Sequence, residues 1–197
     1  MRRFAFWGLF GITLAVYGTM LGWSLPIIAD AAGGLVPFDM RPAGYSFEEA
    51  AAFVSALTPD GANFYLNVQQ KLDIAYPALV ALTLFFAIAA LLPRQFGMRR
   101  WLMAAAALPV AVFDYLENHS IALMIKAGPL GLTPGLVADA SQWTVLKSSW
   151  TMIVMLGMLG LLAWRTVRGA VHHLHRVLTS FRARQAKRHV QYLSSKT

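Results

Sequence analysis

The stretch WLMAAAALPVAVFDYLENHSIALMI, residues 101–125, decides the fold. It is long enough to cross about 30 Å of hydrocarbon as a helix, which takes roughly 20 apolar residues. Yet Asp114, Glu117 and Asn118 sit near its middle. A charge at membrane depth costs roughly 2.5 to 3.5 kcal/mol on insertion scales unless it is paired or hydrated. Chains keep such residues where a bundle interior or a water-filled site uses them, so this stretch predicts a spanning helix and marks a place of interest.

Working outward, segments 4–26, 72–92 and 143–164 are also apolar at spanning length. Trp7, Trp23, Trp101, Trp143 and Trp164 fall near the expected ends, where indole rings prefer the interface. The chain is 57% hydrophobic and 13% charged, whereas a soluble domain carries about 25% charged residues. The expected fold is therefore all-α, a four-transmembrane-helix bundle. The first segment reads as an anchor rather than a signal peptide, because its apolar run exceeds the roughly 7–15 residues of a typical cleaved core.

The net charge of +8 is unevenly distributed. Arg2 and Arg3 precede the first segment, Arg94, Arg99 and Arg100 separate the second from the third, and Arg165, Arg168, Arg176, Arg182, Arg184, Lys187, Arg188 and Lys196 follow the fourth. The other two connections carry Asp30, Asp39, Glu48, Glu49, Asp60 and Asp139 against Arg41. Basic residues mark the cytoplasmic side. The expectation is a multi-pass plasma-membrane protein of the bacterial inner membrane, both termini cytoplasmic, with membrane lipids as partners. This topology accounts for the basic charge without nucleic acid.

Residues 1–165 are expected to form the membrane domain and 166–197 a basic amphipathic cytoplasmic tail. Val167, Val171, Leu174, Leu178 and Phe181 recur there at helical spacing. The connection 27–70 is too long for a turn. In it Ser46-Phe47-Glu48-Glu49 has capping-box spacing, predicting a short helix whose inner face holds Phe47, Ala51, Val54 and Leu57. Pro59 suits the first turn of a further helix running through Tyr65 and Gln69 into the second span.

Three helices bring charge to one layer. Counted from the basic end at 1.5 Å per residue, Asp114 stands roughly 20 Å up, Glu117 roughly 25 Å, Lys147 roughly 27 Å and Asp73 roughly 30 Å. Asp114, Glu117 and Asn118 share a face at i, i+3 and i+4; Gln69, Asp73 and Pro77 share another, as do Trp143, Lys147, Trp150 and Thr151. Polar faces turn inward in a bundle. The expected site is an outward-facing cavity lined by Gln69, Asp73, Asp114, Glu117, Asn118 and Lys147, with a kink at Pro77 widening it. The bland readings are an ion pair from Lys147 to Glu117 or Asp114, and Asn118 as an interhelical hydrogen bonder. His119 points away from the acidic face.

The chemistry open to this set is bounded. There is no cysteine and no G-x-S-x-G or HExxH motif, so nucleophilic hydrolysis and a zinc centre have no support, and no cofactor or metal is expected. In an apolar cavity two close carboxyls do not both ionise readily, so acid–base chemistry on a lipid-like substrate is one reading. Binding of a small amphipathic ligand is the other, with the acidic excess favouring a cation. A purely structural or assembly subunit is the third. A transporter would need a second access path, which a homo-oligomer could supply.

The elements Arg41-Pro42-Ala43-Gly44-Tyr45-Ser46, then Gln69, Leu72-Asp73 and Tyr76-Pro77, then Asp114-Tyr115-Leu116-Glu117-Asn118 together resemble a family of small bacterial four-helix integral membrane proteins with no assigned activity. The resemblance covers roughly residues 40 to 120 and implies an integral inner-membrane protein. In layout the chain is also similar to bundles of the sterol-isomerase type, which hold carboxylates in a cavity; such likeness does not transfer function.

Overall fold

The computed structural model describes residues 3–194 and is all-helical there, without strands. Helix α1 (Arg3–Thr19) passes through a π-helical turn, Met20–Ser24, into α2 (Leu25–Ala31). After a 3-10 turn at Phe38–Met40 come α3 (Phe47–Ala56) and α4 (Pro59–Phe64). A second π turn, Tyr65–Gln69, joins α4 to α5 (Gln70–Leu91). Helix α6 (Arg99–Ala104) runs through a 3-10 turn into α7 (Leu108–Gly131), and α8 (Pro134–Ser194) closes the chain.

Three stretches are long and apolar enough to cross a membrane: Phe4–Ala31, Pro59–Leu91 and Pro134–Arg176. The α6–α7 rod is long enough, but its polar centre from Asp114 to His119 keeps it out of that group. The chain is thus a helical membrane protein, and the α6–α7 rod packs between α5 and α8.

The helices overrun the expected spans at the connection end. The first reaches Ala31 and the second begins at Pro59, so the connection is shorter than 27–70. Helix α8 begins at Pro134 and continues unbroken past Arg165. The side chains of His172, Leu178, Phe181, Arg182, Arg184, Lys187 and Arg188, and the residues Arg2 and Lys196, lie outside the described ones.

Local chemistry explains the helix starts. Ser46 Oγ accepts from Glu49 N at 3.2 Å while Ser46 N donates to Glu49 Oε2 at 2.8 Å, the reciprocal capping box the spacing predicts. Thr58 Oγ1 accepts from Gly61 N at 3.1 Å, with Pro59 in the first turn. Gly61 is required by packing: a Cβ there would lie 2.5 Å from Ala31 Cβ. The most buried residues of α3 are Ala50, Phe53 and Val54, and the rest of the expected face, Phe47, Ala51 and Leu57, packs partly buried against the same core. Phe38 reaches in from the connection and takes Phe53 as its partner, at 4.7 Å between rings.

Two hydrophobic clusters result. Ile28, Phe38, Phe53, Tyr65, Ile121 and Met124 centre the one at the connection end. Leu84, Ile88, Ala89, Ala104, Ala107, Val110 and Val154 make the one at the basic end. The polar layer lies between them.

Candidate functional site

The site is assembled from α5, α7 and α8, with the two π turns at its edge. A π turn carries an extra residue, shifts the helix face that follows, and is frequent at functional sites. The turns touch each other: Ser24 Oγ donates to Gln69 Oε1 at 2.6 Å. Gln69 Nε2 then donates to Asp73 Oδ1 at 3.0 Å, and both residues are buried.

Pro77 shapes the next link. With no N–H it leaves the carbonyl of Asp73 without its helical donor. Asn118 Nδ2 supplies one instead at 3.3 Å, and also donates to Asp114 Oδ1 at 3.0 Å. Tyr115 Oη donates to Ile74 O at 2.8 Å beside it, so α7 is tied to α5 where Pro77 interrupts the hydrogen-bond ladder of that continuous helix. Asn118 thus fills its expected interhelical role and touches a carboxylate as well.

Lys147 of α8 forms an ion pair with Glu117, whose side chain is 0% exposed, and stands 3.7 Å from Asp114. All six residues singled out from the sequence (Gln69, Asp73, Asp114, Glu117, Asn118 and Lys147) therefore belong to one connected polar network. His119 is exposed, on the far side of α7. Among the described residues no group of three His, Cys, Asp or Glu is placed to hold a metal ion.

A cavity of about 220 Å³ opens against this network. Asp73, Asp114 and Lys147 line it from the helices, and Tyr17, Met20, Leu21, Leu25 and Tyr76 form its other walls. The rings of Tyr17 and Tyr76 stack at 5.5 Å and 16°. Glu117 stands behind Lys147 rather than in the wall, and Gln69 and Asn118 support Asp73 and Asp114 from outside it.

Sequence reasoning missed Asp39, which lines the cavity from the 3-10 turn and accepts a hydrogen bond from the buried Tyr65 hydroxyl. It also missed Ser24 and the tyrosine wall. No periodic signal could have found Asp39, because it lies in a loop. The hint was its place two residues before Arg41, whose guanidinium packs over Phe38, Tyr45 and Phe53 at 5.6, 6.0 and 5.8 Å.

The carboxyls of Asp39, Asp73, Asp114 and Glu117 thus face one ammonium, Lys147. No family model, curated protein or solved structure matches the chain.

Proposed function

We propose that this protein binds the cationic head of a small amphipathic molecule in the cavity between α1, α5, α7 and α8. In this reading the molecule spans a bacterial inner membrane four times, α6–α7 being the fourth crossing helix. The basic end and both termini face the cytoplasm, and the cavity lies toward the outside. The α6–α7 rod supports this by packing along both α5 and α8.

One observation carries the reading: the cavity grades from buried acid to exposed apolar surface. Asp73 and Asp114 are buried, whereas Tyr17, Leu21 and Met40 on the rim are 43%, 40% and 47% exposed. A head group set against the acids would leave its tail over Leu21 and Tyr17, where lipid lies. Size agrees. At about 30 Å³ per water the space holds about seven waters, and it falls below the ~300 Å³ typical of whole drug-sized ligands, so it suits a head group.

Charge agrees as well. At an effective dielectric near 20, a carboxyl that is ionised at about 4 Å from the head attracts it by about 4 kcal/mol before desolvation. The stacked tyrosines add a cation–π face.

The structural alternative has an observation of its own, since Lys147 already neutralises Glu117 and approaches Asp114. It leaves Asp39 and Asp73 without a cation. Acid–base catalysis on a lipid-like molecule requires the same binding step first, so binding is what should be tested. Mass spectrometry of lipids and amines co-purified with wild type, Asp73→Asn and Asp114→Asn addresses it. The expected result is an amphipathic cation on the wild type, lost from variants that melt like it. Equal occupancy in all three would remove the carboxylates from recognition.

The absence of cysteine makes the topology easy to test. Gly34→Cys should react with a membrane-impermeant maleimide added outside intact cells, and Gln95→Cys only after lysis. The reverse pattern would invert the molecule.

A further inference from the structure

Helix α8 packs on its own bundle through one face. That face holds the buried Val137, Ala140, Thr144 and Val154, the ammonium of Lys147, and Arg165, which donates to Ala90 O at 2.6 Å. A second line lies one residue earlier in register, turned about 100° from that face at 3.6 residues per turn. It runs Gly157, Gly160, Trp164, Val167, Val171 and Leu174, and Leu178 and Phe181 extend it in the sequence. The spacings alternate 3 and 4 without a break over more than three heptads.

Among the described residues this line is unpartnered. A Cβ added at Gly157 or Gly160 would meet nothing within 4 Å. Val167, Val171 and Leu174 are 63%, 60% and 59% exposed. An unpaired straight helix drifts about 20° per heptad from a 3.5 repeat, so nothing in the chain itself asks for one. A second helix supercoiled with it does, and an apolar repeat of this length is the mark of such a pair.

The line also suits the medium at each level. Gly157 and Gly160 precede Arg165 inside the apolar stretch, where helices associate by close approach of small residues. Past Arg165 the line becomes Val167, Val171 and Leu174, with Gly169, His173 and Arg176 on the opposite side. Taking Trp164 as a heptad a position, Val171 is an a and Leu174 a d, a combination that favours two strands. No proline follows Pro134 and α8 continues unbroken to Ser194, so nothing bends it down onto a lipid surface.

Charge fixes the direction of the partner. Arg168 and His175 are e positions, and in a parallel pair they meet the partner's g positions, which are Ala163 and Ala170. Like charges therefore do not face one another. An antiparallel pair would set the basic e positions against each other. Two copies inserted the same way in one membrane present α8 in parallel.

We propose that α8 pairs with α8 of a second copy of this chain as a parallel, two-stranded coiled coil, with the glycines in contact inside the apolar stretch and Val167, Val171 and Leu174 interleaved beyond it. The pairing does not depend on what the cavity binds.

The full-length chain has no cysteine, so single cysteines test the seam directly. Val167→Cys, Val171→Cys and Leu174→Cys, oxidised in native membranes, should each give a band at twice the monomer mass, because parallel helices in register bring each position to its own copy. Gly169→Cys, His173→Cys and Arg176→Cys should stay monomeric. A tail lying on lipid predicts no crosslink at any of the six, and random collision predicts crosslinks at all of them; either pattern would overturn the pairing. Light scattering in detergent then weighs wild type and Leu174→Glu, an exposed position whose change leaves the bundle intact. The expected masses are two copies and one. A monomeric wild type, a mass of three or more copies, or an undiminished dimer in Leu174→Glu would equally count against the proposal.

Discussion

The two hydrophobic clusters of this molecule are built from different residues and held by different forces. At the connection end large aromatic side chains, Phe38, Phe53 and Tyr65, are fully buried against Ile28, Ile121 and Met124. At the basic end Ala89, Ala104 and Ala107 bring α5, α6 and the 3-10 turn close together, with Leu84, Ile88 and Val110 filling between them. In lipid an apolar side chain gains nothing from leaving its surroundings, so association there depends on close packing by small residues. In water, burying an aromatic is itself favourable. The connection end thus buries large aromatics where the basic end packs small residues, and the polar layer is held between the two.

The comparison breaks most visibly at its aromatic side. Phe53→Ala should cost about 3–5 kcal/mol, whereas Leu84→Ala should fall near the bottom of the usual range, about 2 kcal/mol. Denaturant unfolding in detergent measures both; equal losses would remove the distinction. Between the clusters, Lys147→Met leaves the fully buried Glu117 without its ammonium and should cost about 3–5 kcal/mol. Adding Glu117→Gln to that variant should recover much of the loss, and a double variant no better than the single would mean the pair matters little.

Smaller effects sharpen the contrast. Ala107→Leu at the close-packed end should cost about 1–3 kcal/mol through overpacking. A neutral outcome would show that α5 and the 3-10 turn can separate. Ser46→Ala removes one half of the capping box and should cost about 1 kcal/mol, without change at the basic end. Protection of α3 amides by hydrogen exchange would fall in that variant and nowhere else.

What the sequence made legible follows the range of each interaction. The capping box at Ser46 and the helix start at Pro59 are side-chain-to-backbone effects within one turn, and both are where the spacing places them. The face shared by Asp114, Glu117 and Asn118 needs only the helical period, and Lys147 then has one layer in which to meet it. The two π turns were not legible, because the extra residue is stabilised by tertiary partners such as the Ser24–Gln69 hydrogen bond. Asp39 was hidden for a related reason: Phe38 and Arg41 anchor its turn by packing, which leaves no period to read. The helices overran the hydropathy windows because their outer turns bury amphipathic faces in the connection-end cluster rather than presenting apolar residues all round.

The central claim is that the acidic excess at the polar layer selects a cation carrying an apolar tail. The most direct measurement is a thermal-shift titration of wild type and Asp73→Asn with a long-chain alkyltrimethylammonium, against an alkyl sulfate of the same length. The amide in Asp73→Asn keeps an oxygen for Gln69, and position 73 lies outside the ion pair, so the variant should fold. The account predicts a saturable rise in melting temperature for wild type with the ammonium, a rise much reduced in Asp73→Asn, and none with the sulfate. Equal responses to both amphiphiles, or an undiminished response in Asp73→Asn, would contradict it.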